Sequence, residues 1–265
     1  MRRTRTLICA AGIQFAGLIV LGQAVSLHAQ NHELMSENFS LGDSTLKIHS
    51  LNGSAADSIV FVNVHEDEST CIEAALEFCT SNPIHFIRLE HHGTRNIAFS
   101  LAKKHYFFDP NRMFTEKGRK ATLDKWGQYT DTAAAEVAKL ATKLITMIPA
   151  GSIVVALHNN TDVNYSIKSY QPGGDEAPNT KEVYVNPAMD PDDFIYTTVP
   201  VYFDAFKQRK INVILQDDAQ CIDDGSMSVY CGKQGIPYIN IEAQKGHFDE
   251  QLLLIQTTVE VIRSM

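Results

Sequence analysis

Ser58-Ile59-Val60-Phe61-Val62-Asn63-Val64-His65-Glu66-Asp67-Glu68-Ser69 is the stretch on which the fold turns. From Ile59 to Val64 the side chains are apolar with only Asn63 intervening, and polar residues do not alternate with them. A strand with one wet face alternates, whereas a nearly continuous run suits a strand buried on both faces of a sheet. Similar runs recur at 84–89, 153–157, 211–215 and 238–241, and helical patterns lie between them. One covers 69–78. Another covers 132–147, with Ala133, Val137, Leu140, Leu144 and Met147 on one stripe, and Pro149 and Gly151 end it. A third falls within 193–209 and is opened or interrupted at Pro200; the last, 248–262, carries Asp249 and Glu250 near its positive end. Strands alternating with helices predict an α/β fold, a single domain whose mostly parallel or mixed central sheet has helices on both faces.

Outward from these runs, 30–52 reads as a loose lead-in plus one edge strand, 45–49, ending at the Leu51-Asn52-Gly53 turn. The segment 163–193 contains Pro172, Gly173, Gly174, Pro178, Pro187 and Pro191. It is too long and turn-rich for a passive connector and is a candidate active-site loop.

The chain has 265 residues, an apolar fraction of 44% and a net charge of −8, enough to bury a sizeable core. No basic stripe with interleaved aromatics is present, which argues against a nucleic-acid partner. Arg2, Arg3 and Arg5 precede an apolar stretch from Leu7 to about Leu27, and small residues lead into polar sequence at Gln30. That order predicts a secretory signal peptide over 1–29, a mature domain over 30–265, and export to the periplasm or the medium. An uncleaved anchor is the competing reading, but Gln14 and Gln23 interrupt the stretch, so no stable membrane insertion is expected after signal removal.

Beyond Cys9, the cysteines are Cys71, Cys79, Cys221 and Cys231. An even number in an exported chain permits disulfides without demanding them. A Cys221–Cys231 bridge would staple the Asp-, Gly- and Ser-rich segment between them. Cys71 and Cys79 lie eight apart in a helical pattern, ~12 Å of rise, beyond the ~7 Å Cα limit for a bridge.

In open α/β sheets ligands gather beyond the carboxyl ends of the strands. The first run ends in His65-Glu66-Asp67-Glu68, the third in Leu157-His158-Asn159-Asn160, the last in Asn240-Ile241-Glu242. His65 and Glu68, three apart, let an imidazole and a carboxylate converge on one ion. With His158 they form a two-His, one-carboxylate set that leaves a fourth position open, the pattern of a catalytic zinc site with one ion. Glu242 is then a separate strand-end carboxylate suited to general-base work. Taken singly, a His-x-x-Glu pair is usually a surface pair, His158 a satisfied buried histidine and Glu242 a paired acid. Glu66 and Asp67 read as solvated charge at a helix start. His91, His92, His105 and His247 have no ligand-like spacing.

A further segment, Phe107-Phe108-Asp109-Pro110-Asn111-Arg112, completes an ordered set. His65–Glu68, Asp109–Arg112, Leu157–Asn159 and Glu242, in this order across 58–245, resemble the zinc carboxypeptidase superfamily, nearest the succinylglutamate desuccinylase and aspartoacylase branch. The resemblance implies a carboxypeptidase-like α/β fold with zinc on His65, Glu68 and His158. It implies that Glu242 deprotonates a water and returns the proton to the leaving amine, and that Asn111 and Arg112 bind a substrate carboxylate. Asp109 is expected to orient Arg112 or a zinc histidine. An oxyanion arginine is also implied, for which Arg95 is the candidate ahead of Lys103 and Lys104. The family's tyrosine before the catalytic Glu matches only loosely, with Tyr230 as candidate ahead of Tyr238.

The activity implied is cleavage of an amide bond in a small peptide or N-acyl amino acid with a free carboxylate. A zinc amidase of cell-wall muropeptides and an inactive binding module are the alternatives. Specificity is expected in 163–193 and 217–235.

Overall fold

The apolar runs become strands, and what flanks each of them explains its ends. The computed structural model describes residues 34–54, 57–127, 129–161, 163 and 165–265; the expected signal segment 1–29 lies outside them. The chain opens with an antiparallel hairpin, β1 (Leu34–Leu41) and β2 (Ser44–Leu51). Only one strand is expected here from the sequence, at 45–49. β1 escapes notice because most of its residues are exposed, so it carries no burial signature. β3 (Ile59–Asn63) is buried at all five positions, the reason its sequence does not alternate. α1 (Ser69–Ser81) and β4 (His85–Glu90) follow. β5 (Ile97–Leu101) and β6 (Lys104–Phe108) form a separate two-stranded hairpin. α2 (Glu116–Asp124) and α3 (Asp131–Met147) each start at a threonine, Thr115 and Thr130, whose side chain accepts from the backbone N–H three residues on.

β7 (Ile153–Asn160) leads into the turn-rich loop, which holds β8 (Thr180–Tyr184) and two 3₁₀ turns. The segment 193–209 proves to be a strand and a helix, β9 (Phe194–Thr197) and α4 (Pro200–Gln208), with Pro200 as the helix's first residue. β10 (Val213–Gln216) follows. Within 217–235 lies α5 (Met227–Gln234), capped by Ser226 and ended by Gly235 in the left-handed region. β11 (Tyr238–Gln244) and α6 (Phe248–Arg263) close the chain.

Nine strands make one mixed sheet in the order β1-β2-β4-β3-β7-β11-β9-β10-β8. Its centre, β4-β3-β7-β11, is parallel, and both flanks bring in antiparallel pairs. Period-2 alternation sorts the core into two layers. Val60, Val62, Val154, Ala156 and Tyr238 pack with residues of α2, α3 and α5. Phe61, Val155, Leu157, Ile239 and Ile241 pack with residues of α1, α4 and α6. Helices therefore cover both faces.

Cys71, Cys79, Cys221 and Cys231 are all free thiols. The Cys221–Cys231 bridge does not form because Cys231 lies on the buried face of α5, within the apolar layer.

One close approach ties this scaffold to the segment carrying Asn111 and Arg112. A Cβ on Gly118 of α2 would lie 2.2 Å from the Gly225 Cα and 2.6 Å from the Arg112 carbonyl oxygen. Gly118→Ala should therefore destabilise the protein by ~1–3 kcal/mol, the usual cost of overpacking, seen as a lowered denaturation midpoint. An unchanged midpoint would show that this contact is not tight.

Candidate active site

Past Asn63 the chain leaves the sheet, presents His65, and enters α1 with Glu68 at the N-cap position. β3 pairs in parallel with β7, so His158 near the end of β7 arrives beside them. His65 Nδ1 is 3.0 Å from Glu68 Oε1, and His158 Nδ1 is 2.9 Å from Glu68 Oε2. The two Nδ1 atoms are 3.2 Å apart. With zinc–ligand bonds of ~2.0 Å, tetrahedral donors stand ~3.3 Å from one another. Two imidazoles and a carboxylate at nearly those separations fit a zinc ion. His65 turns its other ring nitrogen to Asp109 Oδ1 at 2.7 Å, the carboxylate–histidine support typical of a metal ligand.

Neighbouring amides hold the frame. Asn63 Nδ2 donates to the Leu157 carbonyl at 3.1 Å. Asn159 Oδ1 accepts from the Cys71 N–H, and Asn159 Nδ2 donates to the Ala243 carbonyl and to Gln251 Oε1. Strands β7 and β11 and helices α1 and α6 are thereby linked directly behind the ligands.

Charge in this cluster is strongly biased. Burial alone would depress the His65 imidazole, but the Glu68 and Asp109 carboxylates outweigh it and hold the group at about 9. Burial also works against ionising Glu68, yet the two histidines keep it well below the ordinary carboxylate range. Asp109 is likewise held low against burial, by His65, Arg112 and Arg95. Glu242 goes the other way: burial raises it and the nearby Glu68 charge adds to that, only partly offset by His158, Asn240 and Arg95.

The register of β11 against β7 sets Glu242 directly across from His158. Both line a cavity of about 370 Å³, whose wall also includes Glu68, Arg95, Asn111 and Arg112. Arg95 Nη1 donates to Glu68 Oε1 at 2.7 Å. Asp109 caps the 3₁₀ turn Pro110–Arg112, accepting from the Asn111 N–H as well as from His65. A single carboxylate thus orients both a histidine and the Asn-Arg pair. Asn111 Oδ1 accepts from the Met227 N–H at 3.1 Å, and Arg112 Nε lies 3.4 Å from Asp224 Oδ2.

The structure brings six of the eight expected site residues to the wall of this cavity, Glu68, Arg95, Asn111, Arg112, His158 and Glu242, and sets the fully buried His65 against Glu68 and His158. Tyr230 is not among the wall residues and packs on Phe114 at 6.3 Å between ring centroids. Lys103 and Lys104 sit at the β5–β6 turn, away from the wall. Glu66 is not free surface charge, since it accepts from the His91 and Gly93 N–H groups and holds the loop after β4.

Four tyrosines line the cavity, Tyr165, Tyr170, Tyr196 and Tyr238, together with Asn240. The period-2 series Tyr238–Asn240–Glu242 was the available signal for Asn240. The loop tyrosines had none, since only tertiary packing brings them to the sheet.

No family model matches the chain, and no curated protein matches it in sequence. Among solved structures it is similar to a protein from Shewanella baltica assigned as a metallopeptidase, at 12% identity and a TM-score of 0.46, covering 86% of this chain and 84% of that one. It is similar also to a metallo-carboxypeptidase from Burkholderia cenocepacia, at 13% identity and 0.45, covering 86% and 64%. An aspartoacylase family protein from Mesorhizobium loti gives 12% identity and 0.45, covering 89% and 69%.

A pH dependence follows from His65. With Glu68 ionised, both Nδ1 atoms donate to it, and a bound cation must replace those hydrogens. Because the His65 pKa rises from 6.5 to about 9, its stabilisation is complete below 6.5 and is lost as pH climbs through 9. The chelated protein should lose stability across that interval, while zinc affinity should rise across it as protons cease to compete. Denaturant melts in chelator and competition with a chromophoric chelator measure the two trends. His65→Ala should abolish both; their persistence would remove His65 from the site.

Proposed function

We propose that this protein is an exported zinc-dependent hydrolase, periplasmic or extracellular, that cleaves an amide bond of a small peptide or N-acyl amino acid bearing a free carboxylate. The observation that carries the reading is the register of Glu242 with His158: a buried, raised carboxylate facing a His-Glu-His cluster in one cavity. Export rests on the order of charged, apolar and small residues at the amino terminus. No helix among the described residues is long and apolar enough to cross a membrane.

His65, Glu68 and His158 would hold the ion, which supplies a Lewis acid and lowers the pKa of water. Glu242 takes the proton of the attacking water and passes it to the leaving amine nitrogen as the C–N bond breaks. Its raised pKa suits both halves of that transfer near neutral pH. Arg95, half exposed, can turn from Glu68 toward the carbonyl oxygen as negative charge develops there. Arg112, whose Nε faces Asp224 and whose Nη1 donates to the Asn111 carbonyl oxygen, offers a substrate carboxylate its remaining guanidinium N–H groups, and the Asn111 amide stands beside it.

Two outcomes are expected. Glu242→Gln should retain zinc by elemental analysis and lose ~10²–10⁴ in rate, the range for acid–base assistance; wild-type turnover would make Glu242 structural. Arg112→Lys keeps the charge but not the fork, so it should lower kcat/KM roughly tenfold or more, as should amidating the substrate's terminal carboxylate. Combining the two changes should cost little more than either alone. Equal cleavage of amidated and free-acid substrates would instead favour a cell-wall amidase.

A further inference from the structure

Two buried carboxamide oxygens in the cavity wall, Asn160 Oδ1 and Asn240 Oδ1, have no partner among the described residues. They lie on opposite sides of the His158–Glu242 pair along the strands, because Asn160 is in register with Gln244 and Asn240 with Ala156. Asn160 Nδ2 donates to the Asp192 carbonyl. Asn240 precedes Glu242 by two residues on β11. Its Nδ2 donates to Glu242 Oε1 at 3.1 Å, which fixes the amide's orientation and leaves Oδ1 unpaired. The residue is only 9% exposed, and across the sheet it faces Tyr196 on β9, whose hydroxyl is already spent on Gln216 Oε1.

A buried carbonyl oxygen without a donor is costly, so the position is built for a donor that arrives with a ligand. Among the described residues, the only arginines in the wall are Arg95 and Arg112, each beside an acid, Glu68 and Asp224, and no lysine lines it. The inner end therefore presents acceptors and aromatic surface. A carboxylate there would meet oxygen and no cation.

Resting on the hydrolase reading above, we infer that Asn240 is a specificity-determining residue that accepts a hydrogen bond from an N–H on the side chain of the leaving residue. With that residue's carboxylate on Arg112 and its amine at Glu242, its side chain has the floor formed by Asn240, Tyr196 and Tyr238 to occupy. The favoured class is a peptide or N-acyl amino acid whose released residue ends in a carboxamide or an amine, as opposed to a carboxylate or a plain alkyl group. A site built to pair such a donor discriminates against analogues lacking it more sharply than an apolar pocket can.

The test uses zinc-loaded full-length protein and N-acetyl-glycyl dipeptides that differ only in the final residue, Gln, Glu or Leu. kcat and KM are read where cleavage occurs, and Kd by calorimetric titration where it does not. Gln should be favoured over both others by about tenfold or more, one hydrogen bond's worth. Asn240→Leu, checked for retained zinc, should lower turnover generally and collapse the Gln-to-Glu ratio to near one. A wild-type ratio near one, a ratio unchanged in the variant, or failure of all three peptides to bind would overturn the inference. Preferential binding of Gln without turnover would instead overturn the hydrolase reading and leave the assignment of Asn240 standing.

Discussion

The centre of this structure depends on how one buried carboxylate is neutralised. Glu68 is 4% exposed and could not stay ionised there alone, because desolvating an unpaired charge costs more than a fold can spare. His65, His158 and Arg95 each direct a nitrogen at it, within 3.0 Å. Those three partners come from the end of β3, from β7 and from the loop after β4. The parallel centre of the sheet has to be in register before Glu68 can be buried at all. Removing one partner would leave charge uncompensated in a dry site, which is far more disruptive than losing a surface pair.

From that cluster the constraint spreads through Asp109. Its carboxylate receives His65 Nε2 and the Asn111 N–H, so the orientation of a histidine and of the Asn-Arg turn are one event. Asn111 in turn accepts from Met227 at the start of α5, and the Phe114 N–H donates to the Gly225 carbonyl. The packing of Gly118 against Gly225 lets α2 and the 217–226 segment approach closely enough for this. The wall of the cavity on the Arg112 side is thus built outward from the carboxylate that supports His65. The opposite wall, formed by Tyr165, Tyr170 and Tyr196, is apolar packing around a 2.5 Å hydroxyl–hydroxyl contact between Tyr165 and Tyr170.

Much of this was legible in the chain because burial on both faces leaves a local trace. The continuous apolar runs marked β3, β4, β7, β10 and β11, and the residues just past them marked His65, Glu68, His158 and Glu242, since a parallel sheet collects its polar ligands at the carboxyl ends of its strands. The stripe over 132–147 marked α3 in the same way. What left little local trace is absent from the sequence reading: β1, exposed along most of its length, the short elements β5, β6, α2, β8 and β9, and α5, whose pattern hides within a loop-like composition. The family resemblance implies a tyrosine shortly before Glu242; Tyr230 does not fill that place, since α5 turns it onto Phe114, whereas Tyr238 lines the cavity.

By itself, then, the sequence determined the layered α/β scheme and the strand ends that bear the candidate ligands, because these depend on periodicity and on residues adjacent in the chain. Only the tertiary structure decided which nitrogen of each histidine faces Glu68, that Asp109 serves two masters, that the cysteines stay apart, and that Asn240 lies beside Glu242 with an oxygen to spare. Those outcomes depend on register between strands distant in sequence and on loops folded over the sheet, where a shift of one residue would turn every side chain to the opposite face.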